Sequence, residues 1–231
     1  MKDTIIICDF DYTIFNPGIL KLAFAEALTQ YGLDASVYDR GYAQAKQSSE
    51  GFYDIVHHAG LIAGAAEVRG KEMRGAIVQH WYELINLHSA SAFEREDVFA
   101  FLDRLPHGYE FIVLSLGELL FQQEKIRASG ILERISEAQV AITEAQDGKD
   151  IYLGRMLDTY KHVYFINDDQ GQNDRLFATF SQQVGDGRLV FFEMRRPYKT
   201  IWQDRLQEIP GLHLVHSLEE VLPYLQAVTE V

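Results

Sequence analysis

The chain has very little cysteine and no long apolar run, and both shortages exclude classes of protein. Cys8 is the single cysteine among 231 residues, so no disulfide can form within the chain, which favours a reducing compartment. No segment approaches the roughly 20 apolar residues that a membrane-spanning helix needs. The apolar run Ile5–Cys8 is too short for the core of a secretory signal. We therefore expect a cytoplasmic protein.

Basic residues are also scarce. The chain has 21 lysines and arginines against 34 aspartates and glutamates, a formal net charge of -13. A surface this acidic repels nucleic-acid phosphates and anionic lipids, so we expect neither nucleic acid nor membrane as a partner. A small anionic substrate remains compatible, provided that local cations or a metal ion neutralise it.

Six short apolar runs predict the buried strands of a parallel sheet, because they are continuous and rich in β-branched and aromatic residues. The runs are Thr4–Cys8, Phe111–Leu114, Gln139–Ile142, His162–Ile166, Leu189–Phe192 and Leu212–Val215. Helical patterns between them cover Leu119–Ser129, Ile151–Tyr160 and Arg175–Val184. This alternation predicts βαβ units, and therefore an α/β protein with a Rossmann-like three-layer core around a parallel sheet.

One stretch, residues 17–91, interrupts this alternation and has only helical patterns. They cover Ile19–Tyr31, Val37–Lys46, Phe52–His58 and Ala65–Leu87. An all-helical insert directly after the first strand predicts an all-α cap over the edge of the sheet, and the turn residues Asn16-Pro17-Gly18 mark its start. We thus expect an α/β core formed by residues 1–16 and 92–231, with a helical cap at 17–91.

The segment Asp9-Phe10-Asp11-Tyr12-Thr13 carries the strongest chemical signal. In a parallel α/β sheet, ligands bind beyond the carboxyl ends of the strands, which is where Asp9 lies. Asp11 is two residues further on, so in an extended segment both carboxylates point the same way. Such a pair needs neutralising charge, and hard oxygen ligands suit magnesium. A calcium-binding EF-hand loop is excluded, because the sixth and twelfth positions hold Ile14 and Leu20.

These residues resemble the first motif of the haloacid dehalogenase (HAD) superfamily, Asp-x-Asp-x-Thr after an apolar strand. Further residues resemble the later motifs in the same order. They are Ser115 for the second motif, Lys149 for the third, and Asp168 and Asp169 for the acidic fourth motif. The match covers the α/β core, and the insert lies where members of the family carry a helical cap.

The resemblance implies a magnesium-dependent phosphatase acting on a small phosphorylated metabolite. Asp9 is then the nucleophile that forms an aspartyl-phosphate, and Asp11 is the general acid and base. In this family, an aspartate two positions after the nucleophile goes with phosphatases and phosphomutases and is absent from dehalogenases. Ser115 and Lys149 are implied to bind phosphoryl oxygens. Asp9, Asp168 and the backbone carbonyl of Asp11 are implied magnesium ligands, with Asp169 a further candidate.

Two assignments remain open on sequence alone. Asp168, Asp169 and Asp174 compete as metal ligands, and we favour Asp168 because it directly follows the fourth strand. Lys161 competes with Lys149 for the lysine of the third motif. A lysine at the start of a strand lies at the wrong end of the sheet, which favours Lys149.

The substrate and the reaction outcome are less constrained. In the insert, Tyr53 and His57 are candidates for contacting the substrate's leaving group, and the basic residues nearby in sequence are Arg40, Lys46, Arg69 and Arg74. After the fifth strand, Arg195 and Arg196 could reach an anionic substrate or neutralise the acidic edge. A sugar phosphomutase and a non-catalytic metabolite-binding module on the same fold are the alternatives to a phosphatase.

Overall fold

Six parallel strands form one sheet at the centre of the fold. The computed structural model describes residues 2–48, 53–65, 70–145, 147–199 and 209–226. The strands are β1 (Lys2–Asp9), β2 (Tyr109–Leu116), β3 (Val140–Thr143), β4 (Tyr160–Asn167), β5 (Leu189–Met194) and β6 (Leu212–Val215). They lie side by side in the order β3-β2-β1-β4-β5-β6. The predicted parallel sheet is therefore confirmed.

Helices fill the connections between the strands. Those between β1 and β2 are α1 (Pro17–Ala27), α2 (Ser36–Ser48), α3 (Ile55–Ala65), α4 (Gly70–Ala92) and α5 (Arg95–Asp103). Those that follow are α6 (Leu119–Ser129), α7 (Gly148–Thr159), α8 (Gln170–Thr179), α9 (Ser181–Gly185) and α10 (Leu222–Gln226). None of the helices described here is both long enough and apolar enough to cross a membrane.

Both faces of the sheet are covered, which gives the predicted three layers. Neighbouring side chains of β1 point to opposite faces, so Ile6 and Cys8 join one hydrophobic cluster while Ile5 and Ile7 join another. The first cluster packs against α5, α6 and α10, and the second packs against α7, α8 and α9. Central strands buried on both faces need continuous apolar runs, which is the pattern that their sequences show.

Capping sets the observed start of two helices that the sequence pattern placed elsewhere. The Asp54 carboxylate accepts a hydrogen bond from the His57 backbone N–H at 2.8 Å, so α3 begins at Ile55; the predicted start at Phe52 lies outside the described residues. In the same way, Asp169 accepts from the Gln172 backbone N–H at 2.9 Å and starts α8. The residues of the predicted helix Arg175–Val184 belong to two helices, α8 and α9, which meet at Phe180.

The two connections between the helical insert and the sheet run side by side. Phe15 and Phe93 form an antiparallel bridge, and the Asn16 backbone N–H donates to the Ala92 carbonyl at 2.7 Å. Asn16 also caps α1, because its side chain accepts from the Gly18 backbone N–H. The division into a core and a cap at residues 17–91 stays a prediction, which this pairing of entry and exit supports.

An aromatic cluster with a buried histidine forms the interior of the insert. Trp81 stacks on Phe24 with ring centroids 5.0 Å apart, and His58 packs against the same indole, also at 5.0 Å. The His58 Nε2–H donates to the Tyr38 carbonyl at 3.0 Å, so Nδ1 of the neutral ring accepts from the Tyr53 hydroxyl at 2.9 Å. Burial disfavours the imidazolium and lowers the pKa of His58 to about 4.

We expect this histidine to make the stability of the protein depend on pH. Between its unfolded pKa of about 6.5 and its folded value of about 4, only the unfolded chain binds the extra proton. The free energy of unfolding should therefore fall as the pH falls, by about 2 kcal/mol between about pH 7 and about pH 5 from this group. Urea denaturation of the wild-type protein and a His58→Asn variant at both pH values measures it.

The variant isolates the contribution of His58, because every other titrating group is common to both proteins. The stability difference between wild type and His58→Asn should shrink toward the lower pH. The exposed His107 supplies the control, since His107→Asn should keep the wild-type pH dependence. A His58→Asn difference that is equal at both pH values would show that this histidine titrates normally.

Candidate active site

The strand order places the predicted catalytic residues at one edge of the sheet. β2 and β3 lie on one side of β1, and β4, β5 and β6 follow on the other side. The direction of the strand order reverses between β1 and β4, so this position is a topological switch point. Asp9 is the last residue of β1, and Asp168 directly follows β4. Ser115 lies at the same edge on β2, one residue beyond the partner of Asp9. All three are at most 5% exposed.

Asp9 is held from both sides. The Lys149 ammonium donates to Asp9 Oδ1 at 2.5 Å, and the Thr13 hydroxyl donates to Oδ2 at 3.3 Å. Lys149 lies in the first turn of α7, and a Cβ on the preceding Gly148 would be 1.6 Å from Thr143 Oγ1. Glycine therefore lets α7 start against the end of β3, which brings Lys149 to Asp9. Its competitor Lys161 bonds Asp3, at the opposite end of β1.

Asp11 forms an ion pair with Lys125, a residue that the sequence analysis did not identify. The buried Lys125 donates to Asp11 Oδ1 and Oδ2 at 2.6 and 2.7 Å, and Gln122 donates to Oδ2 at 3.2 Å. The Lys125 ammonium also lies 4.8 Å from the centre of the Phe121 ring, and burial lowers its pKa. The signal was present in the helical pattern, since Lys125 follows the inward-facing Phe121 by four residues.

Asp168 and Asp169 occupy different environments. Asp168 is buried, accepts from the Lys199 ammonium at 2.5 Å, and shares the Thr13 hydroxyl with Asp9 at 3.5 Å. Burial and, after it, the Asp9 charge raise the pKa of Asp168 to about 7, against the opposing effect of Lys199. Asp169 is exposed and caps α8. Asp174 is also exposed, and the neighbouring Asn173 takes the buried position, where it bonds Asn167.

Ser115 has a hydroxyl without a hydrogen-bond partner among the described residues. Its side chain is 1% exposed and lines the same cavity as Asp9 and Lys149. Buried hydroxyls are nearly always hydrogen-bonded, so an unpaired one that faces a cavity indicates a position for a ligand oxygen. This agrees with the predicted role of Ser115 in binding a phosphoryl oxygen.

The described residues contain no group of three or more His, Cys, Asp or Glu side chains arranged to hold a metal ion. Two carboxylates nevertheless converge, because Asp9 and Asp168 both accept from Thr13. The raised pKa of Asp168 shows that burial and the Asp9 charge outweigh Lys199 there. Two converging carboxylates are hard oxygen donors of the kind that magnesium prefers, although each already has a lysine partner.

A cavity of about 330 Å³ joins this edge of the sheet to the helical insert. From the insert, Phe24, Tyr38, Tyr42 and Tyr53 line it, together with Lys21 and Lys46. The contact of Tyr53 with a leaving group stays a prediction, and its side chain lies on the cavity lining. The side chain of His57 is exposed and lies outside that lining. Neighbouring helix positions point about 100° apart, and His58 takes the inward one.

Arg195 and Arg196 are outside the cavity lining. The Arg196 guanidinium donates to the Thr13 carbonyl at 2.8 Å and to Asp97 at 2.5 Å, so it braces the loop that follows Asp9. Arg195 donates to the buried Glu193 at 3.0 Å. Both arginines thus pair with acids outside the cavity lining, Asp97 and Glu193.

The fold is that of the haloacid dehalogenase-like hydrolases. No protein-family model matches the chain, and no curated protein matches it in sequence. Solved structures do match. A haloacid dehalogenase-like hydrolase from Burkholderia xenovorans is 16% identical, with a TM-score of 0.72 over 96% of this chain and 98% of that one.

Two further structures show how broad this similarity is. The HAD-hydrolase YfnB from Bacillus subtilis, solved bound to magnesium, is 13% identical, with a TM-score of 0.62 over 97% of this chain and 99% of its own. L-2-haloacid dehalogenase from Xanthobacter autotrophicus is 12% identical, with a TM-score of 0.60 over 97% and 99%. At these identities the shared property is the fold, so the reaction has to be argued from the site.

We expect the ion pair between Lys125 and Asp11 to be strongly coupled. Lys125→Met should lower the free energy of unfolding by about 1–3 kcal/mol, because it leaves a partly buried carboxylate without its cation. Adding Asp11→Asn should restore much of that loss, since no unpaired charge remains. Urea denaturation of the two single variants and the double variant gives the coupling energy.

The exposed pair Lys161–Asp3 provides a matched control with the same two residue types. The same replacements, Lys161→Met and Asp3→Asn, should show much weaker coupling, because solvent screens an exposed ion pair. If the Lys125–Asp11 coupling is no larger than this surface value, the buried lysine does not hold Asp11.

Proposed function

We propose that the protein is a magnesium-dependent phosphomonoester hydrolase that forms an aspartyl-phosphate on Asp9. One observation carries the proposal: the Asp9 carboxylate, the Lys149 ammonium and the unpaired Ser115 hydroxyl line the same cavity at the end of the central strand. A nucleophile, a cation and a hydrogen-bond donor are what phosphoryl transfer requires of a protein.

The first step is attack by an Asp9 oxygen on phosphorus, which forms an acyl phosphate and breaks the ester bond. Lys149 and Ser115 bind phosphoryl oxygens and offset the charge that develops there. The leaving oxygen takes a proton from Asp11. Asp11 lines the cavity with 27% of its side chain exposed, while Lys125 binds both of its oxygens.

The second step is hydrolysis of the acyl phosphate. Asp11, now ionised, accepts a proton from water as the water oxygen attacks. Inorganic phosphate leaves, and the Asp9 carboxylate and the protonated Asp11 are restored. Lys125 and Gln122 keep Asp11 in one orientation through both steps, which favours transfer over a short distance.

Asp9, Asp168 and the backbone carbonyl of Asp11 are the groups that would hold magnesium, as the family resemblance implies. When bound, the ion supplies positive charge to the phosphoryl oxygens. The Bacillus subtilis structure bound to magnesium supports this choice of metal. Asp168 is favoured over Asp169, because Asp169 is occupied in capping α8.

Asp11 favours a phosphatase over a dehalogenase on this fold. The family resemblance associates an aspartate at this position with phosphoryl transfer. A leaving oxygen needs a proton, whereas a halide ion does not. The L-2-haloacid dehalogenase of the same fold shows that the fold alone does not make this distinction.

We expect Asp9→Asn to abolish phosphate release from a panel of small phosphomonoesters assayed with magnesium. The amide is a poor nucleophile, so the rate should fall by at least about a thousandfold, in line with the loss of other catalytic groups. Asp3→Asn is the matched control, with the same replacement at the opposite end of the same strand.

Three outcomes would contradict the proposal. One is no phosphate release by the wild-type protein from any ester, and another is activity that survives Asp9→Asn. The third is isomerisation of sugar phosphates without net phosphate release, which would indicate a phosphomutase.

We also expect the two neighbouring acids to differ in their effect on magnesium. Asp168→Asn should raise the magnesium concentration needed for half-maximal activity by about a hundredfold or more. Asp169→Asn should change it by less than about tenfold, since asparagine caps a helix almost as well as aspartate. Magnesium titrations of both variants decide this, and a larger effect of Asp169→Asn would reverse the assignment.

A further inference from the structure

Two lysines of the helical insert lie over one tyrosine ring inside the cavity. The Lys21 ammonium, from α1, is 4.5 Å from the centre of the Tyr42 ring, and the Lys46 ammonium, from α2, is 5.9 Å from it. Lys21 also donates to the Tyr12 hydroxyl at 2.7 Å, next to Asp11. Both ammonium groups therefore lie at most 5.9 Å from one ring centre, on a cavity lining that they share with the catalytic edge.

These lysines differ from the other three that line the cavity. Lys125, Lys149 and Lys199 each lie within 2.6 Å of an aspartate oxygen. By contrast, no carboxylate within the described ranges lies at ion-pair distance from Lys21 or Lys46. Partial burial and the charge on Lys21 lower the pKa of Lys46, while Asp169 and Asp11 raise it from a longer distance.

The lack of a carboxylate partner for Lys21 and Lys46 among the described residues is notable, because the chain has 34 acidic residues against 21 basic ones. Two neighbouring cations without a counterion repel each other, and an anion between them would relieve that repulsion. A tyrosine ring positions an ammonium but leaves its N–H donors available to other acceptors. The arrangement therefore fits a binding site for an anion.

We propose that Lys21 and Lys46 bind a second anionic group of the substrate. The substrate class is then a small phosphomonoester whose leaving group carries a carboxylate or another phosphate. This rests on the proposed function, because the reacting phosphoryl group of the same molecule lies at Asp9, Ser115 and Lys149. The cavity, about 330 Å³, is at the lower end of the usual range for ligand pockets, so one small molecule spans both parts.

Matched esters test the proposal on the wild-type protein. Carboxyalkyl phosphates of increasing chain length are compared with alkyl phosphates of the same length, and alkyl bisphosphates form a third series. We expect a lower KM for at least one charged series than for the uncharged esters, with a preferred chain length. Which charged series has the lower KM distinguishes a carboxylate from a second phosphate.

Lys21→Gln and Lys46→Gln link that preference to the two lysines. Each variant should raise the KM for the charged esters by about tenfold, the usual scale for one charged hydrogen bond, and raise the KM for the uncharged esters far less. Lys71→Gln is the control, since it removes the same charge from an exposed position on α4, outside the cavity lining. Equal KM values for charged and uncharged esters, or an equal effect of Lys71→Gln, would overturn the proposal.

Binding measurements separate this proposal from the proposed function. Phosphonate analogues of the same esters cannot be hydrolysed, so titration calorimetry with them reports binding even if no ester is turned over. The wild-type protein should bind the carboxyalkyl phosphonates more tightly than the alkyl ones, and both lysine variants should lose that difference. Selective binding without turnover would contradict only the hydrolase assignment, and turnover without selectivity would contradict only the second anion site.

Discussion

Buried carboxylates at the end of the central strands require positive charge, and much of the arrangement of the core follows from supplying it. Three aspartates at this edge each have a lysine that comes from a different part of the chain. The pairs are Asp9 with Lys149 of α7, Asp11 with Lys125 of α6, and Asp168 with Lys199 beyond β5. Asp9 and Asp168 also converge on one threonine hydroxyl, so their charges act on each other. Without these lysines the acids would be protonated or the loops would separate.

The requirement for charge explains features of the fold far from the acids themselves. α7 can bring Lys149 to Asp9 only if its first turn touches the end of β3. There Thr143 leaves no room for a Cβ at position 148, so the residue is glycine. Arg196 binds the Thr13 carbonyl and Asp97 together, which ties the loop after β1 to α5. Tyr12 in that loop adopts a positive φ of 61°, a costly conformation that persists only where its surroundings fix it.

Sequence alone could predict the sheet, because buried parallel strands need continuous apolar runs. Such runs can be recognised without knowing how the strands pack against the helices. It could also predict the residues that end strands, such as Asp9 and Asp168, since parallel strands share one carboxyl edge. It could not show that Lys125 reaches Asp11, because a lysine on an apolar helix face gives no indication of which acid it meets. The pairing of Lys21 and Lys46 over Tyr42 was equally hidden, because it joins separate helices. His57 and His58 could be ranked only by knowing which side of α3 is covered.

The charge balance of the cavity connects the core with the insert. With every side chain counted as ionised, its described lining of four aspartates and five lysines has one positive charge in excess. A bound magnesium ion would raise the excess to three, and the phosphoryl group of an ester, close to a dianion at neutral pH, would lower it to one. A second anionic group on the same molecule would remove the remainder. The protein as a whole carries the opposite sign, with a net charge of -13, so the cavity is where an anion is favoured over the surrounding surface. The three lysine–aspartate pairs of the core are neutral, so the positive charge that remains lies on Lys21 and Lys46 of the insert. In our proposal, a second anionic group of the substrate neutralises it.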